Sequence, residues 1–250
     1  MKPVTIQSVV GILVALLVGG FIAFAGSHDS VTLAGVPVFA LCAVIAFAVQ
    51  WVVFIPSYLF QTEHFYDLTG GITYLSLVAL VVIANPYLDW RGGLIALMVG
   101  IWAIRLSTFL FARVRADGFD RRFTRMKTLP MQFLMTWTLQ GLWVFVTFSA
   151  GLAAMTSIAQ APLGIFALVG TSLWLVGFVI EVVADAQKRQ FRRNPEAGGR
   201  FITTGLWAWS RHPNYFGDAC AWWGIWLAAA SAGWWIAAAT VLGPLFLTFT

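Results

Sequence analysis

The sequence predicts an all-α fold, a polytopic transmembrane bundle of seven or eight helices, and three observations carry that expectation. First, 60% of the 250 residues are hydrophobic and only 10% are charged, against about 25% charged in soluble domains. Second, mean hydropathy is +0.84, and ten acidic with fifteen basic side chains cannot coat a water-facing shell around a core of this size. Third, the apolar residues fall into runs of about 20, the length that crosses a bilayer as a helix. The 13 tryptophans suit the headgroup layers, where amphipathic rings collect.

The runs lie near 6–26, 32–60, 71–88, 93–112, 131–153 and 162–184. The first follows a lysine as a signal peptide would, but it is long and lacks a clean small-x-small cleavage site, so it reads as a membrane helix. The last stretch, 215–250, is too long for one crossing. It breaks at Ser231-Ala232-Gly233, which predicts a helical hairpin of two short spans. With no repeat, low-complexity tract or linker, residues 1–250 read as a single transmembrane domain. Cys42 and Cys220 sit in apolar stretches, so neither a disulfide framework nor a metal site is expected.

Charge sets the orientation, because short loops rich in Lys and Arg stay in the cytoplasm. The segment RVRADGFDRRFTRMK after the fourth run has six basic and two acidic residues, and DAQKRQFRRNPEAGGR after the sixth has five and two. The loops after the first, third and fifth runs carry only Asp29, Asp89 and Arg91 besides His28. Both basic segments, the polar loop QTEHFYDLTGG and both termini are therefore expected on the cytoplasmic side. Topology alone explains the net charge of +5, so no nucleic-acid partner is implied, and no obligate protein partner is evident.

Three groups of residues exceed what topology requires. Glu181, Asp185, Arg189 and Arg192 recur at spacings of four, four and three, which puts them on one helical face with Lys188 beside it. Arg105 lies inside the fourth run, a costly position that points it into the bundle toward phosphate or carboxylate. In GLWAWSRHPNYFGDACAWWG, residues 205–224, Arg211, His212, Asn214, Tyr215 and Asp218 crowd into the start of an apolar helix. Pro213 suits its first turn. Such a concentration of hydrogen-bonding groups packs poorly and recognises a polar ligand well.

From DAQKRQFRRNP and GLWAWSRHPNYFGD together, the chain resembles the steroid 5α-reductase superfamily, in its bacterial branch, over roughly residues 61–250. The resemblance implies an NADPH-dependent reductase that saturates a carbon–carbon double bond conjugated to a ketone in a steroid-like or other apolar enone, within the bacterial inner membrane. It implies that Asp185, Arg189, Arg192, Asn214, Tyr215 and Asp218 hold the cofactor, with Arg211 and His212 lining its site. Arginine forks suit a dinucleotide's phosphates, and Lys188 and Arg105 add cations. No GxGxxG fingerprint offers a soluble dinucleotide site instead.

Enone reduction also needs an acid at the carbonyl oxygen. The loop QTEHFYDLTGG offers Gln61, Glu63, His64, Tyr66 and Asp67, and Glu63 is the expected carbonyl-gripping acid, with Tyr66 and Asp67 next. The superfamily's substrate tyrosine aligns with Trp102. Relatives continue past the last span with a cytoplasmic tail bearing Arg, His and Tyr; the sequence here runs to Thr250, which implies a shortened chain or a more open site. Two other readings compete. The Arg-His-Pro element also occurs in S-adenosylmethionine-dependent membrane methyltransferases, and membrane-depth charges also suit a transporter or lipid-binding protein.

Overall fold

A computed structural model describes residues 3–159, 162–194, 198, 200–230 and 240–248. The helices are α1 (Pro3–Gly26), α2 (Val38–Leu59), α3 (Tyr66–Ala84), α4 (Trp90–Asp117), α5 (Pro130–Thr156), α6 (Ile165–Arg193), α7 (Pro213–Ala230) and α8 (Leu242–Thr248). Among the described residues the first six are long and apolar enough to cross a membrane, and the chain is an integral membrane helix bundle. The expected break at Ser231-Ala232-Gly233 lies outside the described residues.

Several boundaries differ from the hydropathy reading, those of the second and third helices among them. The second run loses its first six residues to a hairpin, Thr32–Leu33 paired with Val36–Pro37, turned by Ala34 and Gly35 at φ 50° and 81°. Apolar composition hides such a turn. The third helix starts at Tyr66 rather than 71, so Tyr66 and Asp67 stand in its first turn and not in a loop. It stops at Asn85, whose Nδ2 donates to Met155 O at 2.7 Å.

The helix α5 is the axis of the bundle. Phe133, Trp137, Phe145, Phe148 and Leu152 along it are fully buried, and α1, α2, α3, α7 and α8 all pack on it. Helix α1 is the outermost, its Leu17, Phe21 and Phe24 exposed as lipid-facing side chains are.

The tightest pairing is between α6 and α7, which run antiparallel with glycine against glycine. A Cβ on Gly177 would stand 2.5 Å from Gly217 O, and one on Gly224 would stand 2.5 Å from Gly170 O. Only backbone fits there, as in membrane interfaces built from small residues. This contact draws the first turns of α7 against the end of α6, and so sets Asn214 and Asp218 beside Glu181 and Asp185.

Candidate active site

At the end of the bundle where α6 and α7 converge, two carboxylates share one guanidinium and a third carboxyl, Asp218, stands close by. Arg105, from α4, donates through Nη1 to Glu181 Oε1 at 2.6 Å and through Nη2 to Asp185 Oδ2 at 2.7 Å. Asn214 Nδ2 donates to Asp185 Oδ1 at 3.3 Å, while its own Oδ1 is buried without a partner. Asp218 makes no ion pair among the described residues. Its Oδ1 accepts from Trp102 Nε1 at 3.0 Å, and the Trp222 ring packs on that indole.

Above this cluster opens a cavity of about 490 Å³, with Glu181, Asp185, Asn214, Tyr215 and Asp218 on its walls. Apart from Asp67, its remaining charged lining is basic: Lys188, Arg189, Arg192 and Arg193 from α6, Arg113 from α4 and Arg122 from the α4–α5 connection. A second cavity of about 540 Å³ adjoins it, lined by aromatic and apolar side chains such as Tyr66, Tyr74, Trp102, Leu139, Trp143 and Val144, with Ser107, Thr136 and Gln140 among its polar groups. Asp67, Leu106, Leu110, Arg122, Tyr215 and Asp218 line both. Tyr74, Trp102 and Trp222 pack edge-on or tilted with ring centroids 5.0–5.4 Å apart, forming a dry aromatic wall behind Asp218.

The structure thus brings Asp185, Lys188, Arg189, Arg192, Asn214, Tyr215 and Asp218 to the basic cavity, and Trp102, Tyr66 and Asp67 to the aromatic one. Arg105 lies beneath the basic cavity with its guanidinium taken by Glu181 and Asp185, so it shapes the site and leaves ligand charge to other cations. Arg211 and His212 are exposed and line neither cavity. The His212 ring stacks on Tyr215, centroids 5.2 Å apart.

The expected acids of the α2–α3 turn are placed differently again. Glu63 is buried but lines neither cavity; Lys127 Nζ donates to its Oε2 at 2.7 Å, and the Asp120 backbone N–H to its Oε1 at 3.0 Å. Burial pushes its carboxyl pKa up, but the hydrogen bonds from Lys127 and the Asp120 amide pull harder, leaving it below the ordinary value. A carboxylate held ionised has no proton to offer a ketone, so the expectation for Glu63 is corrected: it pins the α4–α5 connection to the α2–α3 turn. His64 does the same through Nε2, 2.8 Å from Gly118 O. Gln61 is exposed at φ 50°, with its Nε2 turned back to Tyr58 O at 2.7 Å, and this too removes it from the site.

The sequence reading missed Tyr74, Trp222, Gln140, Arg113 and Arg122. The first three sit in apolar runs and look like core, although a glutamine in the middle of such a run is a usable signal. Arg113 and Arg122 were absorbed by the topology argument. Asp120 holds Arg122 through three bonds of 2.6–3.1 Å, and that pairing raises the arginine's pKa.

A membrane helix bundle with a basic cavity adjoining an aromatic one is the class of protein this architecture defines. The chain belongs to the family described as protein of unknown function DUF1295, matched over residues 53–250, a member of the steroid 5-alpha reductase superfamily. It is similar to the Delta(14)-sterol reductase of Gibberella zeae, 35% identical over 95 residues, which cover 33% of this chain and 19% of that protein. It is similar to 3-oxo-5-alpha-steroid 4-dehydrogenase 1 of Bos taurus, 34% identical over 79 residues, 32% of this chain and 31% of that protein. The Ustilaginoidea virens protein named Probable O-methyltransferase ustE is 35% identical over 88 residues, covering 33% and 30%. Each match thus spans a third or less of the curated relative's length. No solved structure matches the chain.

Proposed function

We propose that the chain is an NADPH-dependent membrane reductase that saturates an activated carbon–carbon double bond in a steroid-like lipid. The observation that carries this reading is the shared wall: a basic cavity and an aromatic cavity meet at Asp218, Tyr215, Leu106 and Leu110, so a charged donor and an apolar acceptor would meet there. The names of the sterol and steroid reductase relatives support it.

The residues of the basic cavity fit a dinucleotide. Arg189, Arg192 and Lys188 offer charge-assisted bonds to phosphates, and their surplus favours the additional phosphate of NADPH over NADH. Asn214, on the wall of the same cavity, offers an amide to the nucleotide's polar groups. Bound there, NADPH supplies the hydride. The chain's own task is then to supply the proton and to keep water out. Asp218 lines both cavities and lacks an ion-pair partner among the described residues, and its place against the aromatic wall, where a bare charge is costly, makes it the group placed to hold and deliver a proton. Removing such an acid costs about 10²–10⁴-fold in rate. Tyr66, whose hydroxyl donates to Thr136 O at 3.1 Å, borders the substrate without being free to donate again.

The positive-inside rule puts the basic end in the cytoplasm, where NADPH is available, and the bacterial inner membrane is the setting this implies. Membrane lipids and the apolar substrate are the partners; neither nucleic acid nor an obligate protein partner enters this reading. The methyltransferase relative supports a second reading, in which the basic cavity holds S-adenosylmethionine. Titrating the full-length protein in detergent with NADPH, NADH and S-adenosylmethionine, followed by tryptophan fluorescence, separates them. NADPH should bind about tenfold or more tighter than NADH, as one added charge-assisted contact gives, and Asn214→Ala should weaken it. Equal affinity for the two nucleotides contradicts the reading, and binding of S-adenosylmethionine alone favours the methyltransferase.

A further inference from the structure

The connection between α6 and α7 carries side chains that neither cavity uses. From Lys188 to His212 the chain has the cations Lys188, Arg189, Arg192, Arg193, Arg200 and Arg211 against Glu196 alone. The first four line the basic cavity. Arg200 and Arg211 line neither cavity, are exposed, and make no hydrogen bond or ion pair among the described residues. Each stands beside a bare aromatic ring in the sequence: Phe201, 90% exposed, follows Arg200, and Trp209, 91% exposed, comes just before Ser210 and Arg211. No other large apolar side chain among the described residues is as exposed as these two.

The turn that carries Trp209 is fixed at a definite depth. Gly205–Ala208 is a short 3-10 helix laid against α6: Trp207 Nε1 donates to Ala184 O at 3.0 Å, the Leu206 N–H donates to Gln187 Oε1 at 3.0 Å, and Lys188 Nζ lies 4.7 Å from the centre of the Trp207 ring. The Trp209 N–H then donates to Leu206 O at 3.1 Å, so Trp207 packs on α6 while Trp209 is left outside. From Ile165 to Asp185, α6 rises about 30 Å, the thickness of the hydrocarbon core. Residues 184–188 therefore stand at the boundary of that core at the basic end, and the turn stands with them. Amphipathic rings collect in this layer, and arginines beside them reach headgroup phosphates. Anything dissolved in water meets the headgroups before it meets a ring at this depth.

We propose that the α6–α7 connection is a binding surface for anionic phospholipid, with Phe201 and Trp209 seated where headgroups meet acyl chains and Arg200 and Arg211 on the headgroup phosphates. Charge decides for anionic over zwitterionic lipid, because Glu196 is the one acid in the segment and each arginine near an anionic surface gains about fivefold. Neither cavity enters this inference, so it stands or falls apart from the reductase reading.

The test compares hydrogen exchange of the full-length protein, read by mass spectrometry over residues 200–212, in nanodiscs of phosphatidylcholine alone and of phosphatidylcholine with phosphatidylglycerol. Amides of the segment should exchange about tenfold or more slowly with phosphatidylglycerol present, and joint substitution of Arg200→Gln and Arg211→Gln should remove the difference. Depth is read separately. The tryptophan emission lost on Trp209→Phe, taken as the difference between the two proteins, should be quenched by phosphatidylcholine brominated near the top of its acyl chains. Equal exchange in the two bilayers, a difference that survives the joint substitution, or a Trp209 signal that brominated lipid leaves unquenched overturns the inference. Exchange as fast in both bilayers as in detergent overturns it too and leaves the surface to a soluble partner. The comparison of bilayers uses the wild-type protein, so a variant that fails to fold does not remove the test.

Discussion

The α2–α3 turn and the α6–α7 junction are both dense in polar residues at the same end of the bundle, yet they do opposite things. In the turn, Glu63, His64 and Gln61 all find partners within the protein, at 2.7–3.0 Å, and the result is a clamp on the α4–α5 connection. At the junction, two carboxylates share one arginine, Asn214 keeps a buried oxygen unpaired and Asp218 accepts from an indole in place of a cation. Saturated polar groups stabilise a fold; unsaturated buried ones are retained at a cost, which a ligand offsets. Density of polar residues is therefore a poor guide to a site by itself; what separates the junction from the turn is that its polar groups also line a cavity.

The largest effect is expected where the junction is assembled. Gly177→Val would drive side-chain atoms into the backbone of Gly217 and Ala221, already 2.5 Å from a bare Cβ. Overpacking of this kind costs about 1–3 kcal/mol or more, and separating the helices should abolish nucleotide binding along with it. Thermal unfolding in detergent and a nucleotide titration on the same sample measure both. A variant that binds normally would detach the glycine contact from the site.

A smaller and differently directed effect is expected in the turn. Glu63→Gln should leave turnover within about threefold of wild type while lowering stability by about 1–3 kcal/mol, the cost of a buried hydrogen-bond partner lost. The pH dependence follows from the sign of the shift. The folded pKa of Glu63 lies below the ordinary 4.5, so its contribution is complete above about 4.5 and is lost as pH falls through the depressed value. Melting profiles from pH 7 downward should show an acid limb that is shallower in Glu63→Gln. An unchanged limb together with a large rate loss would return Glu63 to the chemistry.

Much of the molecule was legible in the sequence because the membrane imposes it. Runs of about 20 apolar residues have to be helices, and Glu181, Asp185, Arg189 and Arg192 declare a shared face by their spacing. The RHPNYFGD segment announced Asn214, Tyr215 and Asp218 by chemistry too polar for its place. What stayed hidden depends on distant partners. Glu63 looked like a free acid because Asp120 and Lys127 lie 57 and 64 positions away. Tyr74 and Gln140 looked like packing because nothing local marks a cavity wall. Arg122 was concealed by a rule that already explained it, since a basic loop satisfies topology whether or not one of its arginines lines two cavities.

The measurement that bears most directly on the two-cavity account is the rate of NADPH oxidation with an enone lipid in Asp218→Asn, measured beside Glu63→Gln and with nucleotide affinity determined for each. Asparagine keeps the size of the carboxyl and cannot deliver its proton, so turnover in Asp218→Asn should fall about 10²–10⁴-fold, with nucleotide affinity changed far less, whereas Glu63→Gln stays near wild type. Full turnover in Asp218→Asn, with the loss appearing in Glu63→Gln instead, would contradict the account.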